Sequence, residues 1–254
     1  MDVVSLFALE AALLTFWAIR LVRAGSARKR PALLAYLLAG GIPAWAMVFV
    51  YAIGADSPAA THFYMEGWKL TRALYWVLHI ALIVELFTEL IRPFPGIERL
   101  GNMFLRGAAA TGAVIGLVAY SIPSAGGWIA DSWGRHEAAA YLSFSVVCLG
   151  MLWFRRMFPL QPCSNWRAAA TCFAAYFFGG AVLSLLTVSL GREHHHLVDL
   201  VGLTMADLAI GWGAFHFSRA GEALTQAAPA QSEVGAAAVE RLAAINRALE
   251  GVAR

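Results

Sequence analysis

Long runs of apolar residues are the feature that most constrains the fold of this chain. Hydrocarbon offers a backbone no hydrogen-bond partners, so a segment that crosses a membrane must be helical and needs about 20 mostly apolar residues. Seven runs approach this length, at 3–22, 32–54, 70–91, 103–122, 138–154, 168–190 and 197–217. The sequence therefore predicts an all-α polytopic membrane protein, with a seven-transmembrane-helix bundle over residues 1–217 and the lipid bilayer as its partner.

Composition supports a membrane protein and argues against other classes. Only 14% of the 254 residues are charged and 60% are hydrophobic, whereas soluble domains carry about 25% charged residues. The net charge of +3 is small, and the basic residues sit at the ends of the runs, so no nucleic-acid partner is expected. The three cysteines have neither CxxC nor zinc-ligand spacing, which argues against a disulfide framework.

Basic residues alternate between the connections that join the runs. The connections after the first, third and fifth runs are the more basic ones, with Arg28, Lys29 and Arg30, then Arg92 and Arg99, then Arg155, Arg156 and Arg167. Basic connections tend to stay in the cytoplasm. We therefore expect a multi-pass protein of the cell's inner (plasma) membrane, with its N-terminus outside and its C-terminus cytoplasmic.

The composition changes after the last run. Residues 218–232 are rich in Ala, Gly, Gln and Pro and are predicted to form a linker. Residues 233–252 are predicted to form a short cytoplasmic amphipathic helix, because Leu242, Ile245, Leu249 and Val252 share one face. Such a helix needs a surface to be stable. The favoured surface is the membrane or the inner face of the protein itself, and a protein partner is the alternative.

Among the ionisable residues inside the predicted spans, where charge is costly, four stand out as candidate ligand-binding residues. Glu10, His79 and Asp207 are expected at similar depth if the first and last helices are neighbours and the third is central. Glu85 lies about two turns from His79. Glu10, His79 and Asp207 could together form a site that binds a small ligand or changes protonation. The favoured interpretation is interhelical hydrogen bonds that hold the bundle together. Glu89 is expected to meet Arg92 one turn on.

A histidine cluster precedes the last run. His194, His195 and His196 are followed by Asp199, and His195 and Asp199 have the spacing at which two helical residues can share a metal. Three consecutive histidines cannot all face one ion. A solvated stretch that gains charge below about pH 6.5 is therefore the favoured alternative.

Known catalytic and cofactor patterns are missing from the sequence. The last run has no lysine for a retinal Schiff base, since the only lysines are Lys29 and Lys69. The chain has no GxSxG, HExxH or P-loop motif. We therefore expect no cofactor, no catalytic residue and, on balance, no enzymatic activity.

The stretch from residue 63 to residue 101 carries a family resemblance. Its parts are Phe63–Trp68, then Glu85–Glu89, then Arg92–Gly101 with the sequence RPFPGIERLG, and Asn246–Leu249 fits as well. In these parts the chain resembles a group of bacterial seven-helix membrane proteins with no established activity. It departs from them at Glu66-Gly67-Trp68, where a run richer in Tyr and Trp is usual. The resemblance implies a topology and no chemistry.

Together these features predict a non-enzymatic membrane protein, either a small sensor or receptor-like module or an assembly module. The alternative is a transporter or membrane enzyme with a buried polar site at Glu10, His79 and Asp207.

Overall fold

The computed structural model describes residues 3–52, 58–91, 98–120, 130–157, 162–190 and 195–222, together with residues 240 and 244. Seven α-helices and one 3-10 helix lie in these ranges, and they contain no strand. The helices are α1 (Val3–Arg23), α2 (Pro31–Ala52), α3 (Pro58–Ile91), α4 (Glu98–Tyr120), α5 (Ala130–Met157), α6 (Ser164–Leu190) and α7 (His195–His216), and the 3-10 helix is Ala220–Glu222. The predicted all-α fold is confirmed for the described residues.

Five helices are long and apolar enough to cross a membrane. Within the described residues, these stretches are Ser5–Arg23, Pro31–Val50, Leu74–Ile91, Arg135–Arg156 and Ser164–Thr187, in α1, α2, α3, α5 and α6. A shorter apolar stretch, Leu200–His216, lies in α7. These helices are compatible with an integral membrane protein.

Two helices begin well before the apolar runs that predict them, further ahead than the other helices do. α3 begins at Pro58 and α5 at Ala130, whereas their runs begin at Leu70 and Ala138. The added residues include charged side chains and histidines. An apolar run therefore marks the part of a helix suited to lipid and not the first residue of the helix.

The predicted tail helix lies almost wholly outside the described residues. Glu240 and Ala244 are helical and exposed. The apolar stripe at Leu242, Ile245, Leu249 and Val252 is outside the described residues, so the tail helix stays a prediction.

The helices pack so that α7 lies against both α1 and α6. α1 also packs on α2, and α5 packs between α4 and α6. α3 contacts α2, α4, α5 and α6. The neighbouring first and last helices expected from a sequential bundle are present, and α3 contacts four other helices.

Small residues allow two of these helix pairs to approach closely. A Cβ atom on Gly213 of α7 would collide with the ring of Trp17 on α1. It would lie 2.7 Å from Cζ3 and 2.9 Å from Cζ2 of that ring. A Cβ on Gly112 of α4 would lie 2.9 Å from the Ser143 carbonyl oxygen of α5. On α4, Gly112 thus makes close contact with α5, whereas Gly107 faces open space.

Large apolar side chains are exposed on all seven helices. Examples from α1 to α7 are Val22, Ile42, Val77, Leu117, Trp153, Phe178 and Leu208. Leu117 on α4 is 69% exposed and Leu208 on α7 is 66% exposed, as fully as Ile42 on α2 at 68%. Large apolar side chains exposed on every helix are uncommon in soluble monomers and are the normal surface of helices in lipid.

Candidate functional site

A buried arginine organises the end of the bundle where α1 ends and α2 begins. α1 closes with a Schellman motif, in which the Ser26 amide donates to the Leu21 carbonyl at 3.1 Å and the Gly25 amide to the Val22 carbonyl at 2.9 Å. Gly25 has φ +71°, a left-handed conformation that glycine adopts at no steric cost. This turn directs Arg30, just before Pro31, into the protein, where its side chain is fully buried.

Every nitrogen of the Arg30 guanidinium donates a hydrogen bond. Nε donates to Glu89 Oε2 at 2.7 Å, and one terminal nitrogen donates to Glu89 Oε1. The other terminal nitrogen donates to Glu222 Oε1. The Glu89 contact is the two-pronged geometry in which arginine binds a carboxylate most strongly. Arg30 therefore joins the end of α3 to the 3-10 helix that follows α7.

Two residues at the start of α6 extend this contact. The Cys163 thiol accepts from Arg30 at 3.2 Å and lies 3.5 Å from Glu89 Oε1, to which it donates. Asn165 Nδ2 donates to Glu222 Oε1 at 2.6 Å and to the Ser218 carbonyl at 2.7 Å, and Asn165 Oδ1 accepts from the Ser218 amide at 2.9 Å. We call Arg30, Glu89, Cys163, Asn165 and Glu222 the Arg30 network.

The charged groups of the Arg30 network stabilise one another. Burial alone would lower the pKa of Arg30, but hydrogen bonds and charges from Glu89 and Glu222 raise its pKa above the usual value. Burial alone would raise the pKa of Glu222, but hydrogen bonds from Arg30 and Asn165 hold it below the usual value. Burial also raises the pKa of the Cys163 thiol, so it stays a neutral donor. Each charged group of the network therefore has a hydrogen-bonded partner of opposite charge, as a buried polar cluster needs.

Glu85 lies beside the network and caps a neighbouring helix. Its two carboxylate oxygens accept from the backbone amides of Ala32 at 2.8 Å and Leu33 at 3.0 Å. These amides belong to the first turn of α2, which has unpaired donors and a positive dipole end. The candidate ligand-binding role of Glu85 stays a prediction, but both its oxygens already have structural partners.

Glu89 has a partner that its sequence neighbourhood does not indicate. It binds Arg30, which is 59 residues away in the chain. The local pair with Arg92 stays a prediction. Arg92 lies outside the described residues. A buried guanidinium with five donors is a stronger partner than a neighbour on the same helix surface.

Glu10 and Asp207, two of the candidate ligand-binding residues, are brought together on contacting helices. Glu10 is half-buried on α1, and Asp207 on α7 is only 4% exposed. Leu13, one turn after Glu10, packs against Gly211, one turn after Asp207, so the two carboxyl groups lie at the same level of packed helices. Neither Asp207 oxygen has a hydrogen-bond partner among the residues that the structure describes. We call Glu10 and Asp207 the carboxyl pair.

His79, the third member of the predicted site, is surrounded by aromatic rings. Its ring is 2% exposed and meets Phe177 edge-on, with ring centroids 4.9 Å apart. Other rings lie within 5.4 to 6.1 Å; they are Tyr36, Phe144, Tyr75, Tyr141 and Tyr176. These rings come from α2, α3, α5 and α6, whereas the carboxyl pair lies on α1 and α7.

The histidine cluster is described only in part. His194 lies outside the described residues. His195, His196 and Asp199 belong to α7, but the structure does not describe their side chains. Elsewhere in the described chain, no group of three or more His, Cys, Asp and Glu residues is arranged to hold a metal ion. The weak metal site at these residues stays a prediction.

The Arg30 network was missed by the sequence analysis. Arg30 was interpreted as one of three equivalent topogenic charges, and Glu222 as part of a linker. The only local signal is the pair Arg30-Pro31 after Gly25, which marks a tight turn into α2. Nothing in the sequence near Glu222 indicates a partner that lies 192 residues away.

Comparison with known proteins gives no match. The chain matches no protein-family model, no curated protein and no solved structure.

Proposed function

We propose that the chain is a seven-span protein of a bacterial inner (plasma) membrane, with its N-terminus outside and its C-terminus in the cytoplasm. The five long apolar helices support this, and so do α4 and α7, whose Leu117 and Leu208 are as exposed as the apolar residues of the other helices. The alternation of basic connections supports the orientation. We also propose membership of the seven-helix group that residues 63–101 resemble.

Reporter fusions test the orientation. Alkaline phosphatase is active only outside the cytoplasm, and green fluorescent protein folds well only inside. We expect a fluorescent, phosphatase-negative fusion at Glu240 and the reverse result at the connection after α2. Phosphatase activity at Glu240 would contradict the proposed orientation.

Within this topology, we propose a small sensor or receptor-like module, or an assembly module, that presents its C-terminal segment to a partner. The observation that carries the proposal is the buried bonding of Arg30 to both Glu89 and Glu222. It fixes the first residues after α7 to the α1–α2 connection and to the end of α3. Asn165, in the first turn of α6, also binds Glu222 and so joins the start of α6 to the same segment.

Such an attachment couples the bundle to the segment that leaves it. A shift of α3 or α6 by an ångström or two, as in many switching proteins, must either carry Glu222 along or break a charge-assisted bond. Breaking such a bond in a buried setting is costly, so the two states would be discrete. This is the physical requirement for passing a change in the membrane to a cytoplasmic segment.

Photo-crosslinking in cells tests the proposal. A photoreactive amino acid at Glu240, which is exposed, should give a discrete crosslinked product. We expect Glu222→Gln to change the yield of that product by at least about threefold, and Arg28→Gln, at an exposed residue of the α1–α2 connection, to leave it unchanged. A chain that gives no crosslinked product, and no thermal shift with any compound of a ligand library, would contradict the proposal.

The alternative, a transporter or membrane enzyme with one site formed by Glu10, His79 and Asp207, stays a prediction. The rings around His79 and the carboxyl pair belong to different sets of helices. No described contact favours one joint site.

A further inference from the structure

The carboxyl pair has bonding capacity that the described structure does not use. Asp207 is more than nine-tenths buried, and both of its oxygens lack a hydrogen-bond partner among the described residues. Buried carboxyl oxygens almost always have a partner, and each exception needs an explanation. Glu10, another carboxyl, lies one turn before Leu13 on α1, and Asp207 lies one turn before Gly211 on α7. Leu13 packs against Gly211, so the two acids lie at the same level of two packed helices.

The neighbouring helices bring no cation to the depth of the pair. Besides Glu10, the charged residues of α1 are Arg20 and Arg23, and Arg20 is ten residues or about 15 Å along the helix from Glu10. Arg20 is engaged at 3.0 Å with the Phe215 carbonyl near the end of α7. On α7 itself, His216 is nine residues or about 14 Å from Asp207, and His195 and His196 lie further away along the helix in the other direction.

The two other helices that pack on α1 and α7 are also nearly uncharged. α2 has no Asp, Glu, Lys, Arg or His, and α6 has only Arg167 near its start. The remaining titratable side chains of these helices are tyrosines and Cys172, which are neutral near pH 7. A pair of ionised carboxylates would therefore face each other without a counter-charge.

Two like charges in a poorly polarisable interior cannot both be ionised, and one carboxyl then keeps its proton. We propose that Glu10 and Asp207 form one proton-binding site between α1 and α7. The site holds a proton near neutral pH, and on deprotonation it releases that proton to water and its charge falls by one unit. This site is independent of the sensor or assembly role proposed above.

Infrared spectroscopy of the full chain in lipid nanodiscs tests the site, because a protonated carboxyl has its own carbonyl stretching band. In wild-type protein we expect this band at neutral pH, with two separate steps as the pair titrates. In Asp207→Asn or Glu10→Gln, the remaining carboxyl should lose its proton at least about one pH unit below the upper wild-type step. The exposed Glu240→Gln serves as a control and should leave both steps in place.

Three results would overturn the proposal. The first is the absence of a protonated carboxyl at neutral pH in the wild type. The second is an upper step that stays at the same pH in both single variants, since the two groups would then titrate independently. The third is loss of the band when sodium chloride replaces choline chloride at neutral pH, because a metal cation would then occupy the site. The first and third results need only wild-type protein, so the test stands if a variant fails to fold.

Discussion

The Arg30 network and the carboxyl pair both bury ionisable groups, but they do so in opposite ways. In the network, the guanidinium faces two carboxylates, and a thiol and an amide take up further bonds. In the carboxyl pair, two acids meet with no described donor on Asp207. The comparison teaches that burial of a carboxylate does not itself indicate a site. A compensated carboxylate holds helices together, and an uncompensated one is available to bind a proton.

Removing the cation from the network should have the largest effect. Arg30→Met would leave Glu89 and Glu222 without their counter-charge, and breaking a buried ion pair from one side costs about 3–5 kcal/mol. We expect a corresponding fall in the free energy of unfolding in detergent, followed by thermal or denaturant unfolding. Arg28→Met, at an exposed position of the same connection, should change it by less than about 0.5 kcal/mol. Equal effects from the two variants would refute the special role of Arg30.

Removing the tertiary cap of α2 should have the next largest effect. Glu85→Ala leaves the Ala32 and Leu33 amides without their acceptor. Loss of a helix N-cap costs about 0.5–2 kcal/mol. Glu85→Gln keeps one acceptor oxygen and should cost less than the Ala variant. Ranking the two by unfolding free energy checks this, and a reversed order would show that the carboxylate acts in some other way.

Acid should weaken the network through Glu222. Its pKa is lowered in the folded protein from the usual 4.5. The stabilisation is therefore fully present above about pH 4.5 and is lost as pH falls through the lower, folded-state value. We expect Glu222→Gln to flatten the loss of thermal stability below pH 4.5, with a cost of about 1 kcal/mol at neutral pH.

The control for this pH profile is Glu240→Gln, because Glu240 is exposed and outside the network. Its profile should follow the wild type. If Glu222→Gln loses stability in acid as steeply as the wild type does, the link between Glu222 and acid stability is wrong.

Replacing one member of the carboxyl pair should have the smallest effect. Asp207→Asn removes a carboxyl that has no hydrogen-bond partner among the described residues, so little stabilising interaction is lost. We expect the free energy of unfolding to change by less than about 1 kcal/mol, in either direction, in the assay used for Arg30. If Asp207→Asn lowered the free energy of unfolding as much as Arg30→Met does, Asp207 would be part of a stabilising network. The Arg30 network and the carboxyl pair would then not differ in the way described.

The helices were predictable from sequence because lipid imposes a strong length and polarity pattern. Glu10 and Asp207 were expected at similar depth on neighbouring helices, because the first and last helices of a sequential bundle lie side by side. The helices that carry them, α1 and α7, do pack on each other. The inward direction of Arg30 was not predictable. Arg28, Lys29 and Arg30 look alike in sequence, but the turn at Gly25 buries only the last of them and leaves the other two exposed.

Contacts between distant residues were the other limit. The aromatic surroundings of His79 depend on the rotation of four helices about their axes, which sets the ring that faces inward. The position of Glu222 depends on how the chain turns after α7, where the Asn165 side chain forms two hydrogen bonds with the Ser218 backbone. Neither leaves a periodic signal, because each involves single residues far apart in the chain.

The cap on α2 has a consequence for the order in which the protein is built. The first turn of α2 receives two of its acceptors from α3, more than 50 residues later in the chain. When α2 emerges from the ribosome, those amides must rely on water. Completion of the α2 terminus therefore waits for α3, and the two helices are expected to settle into the bilayer as a hairpin, with Glu85 closing it last.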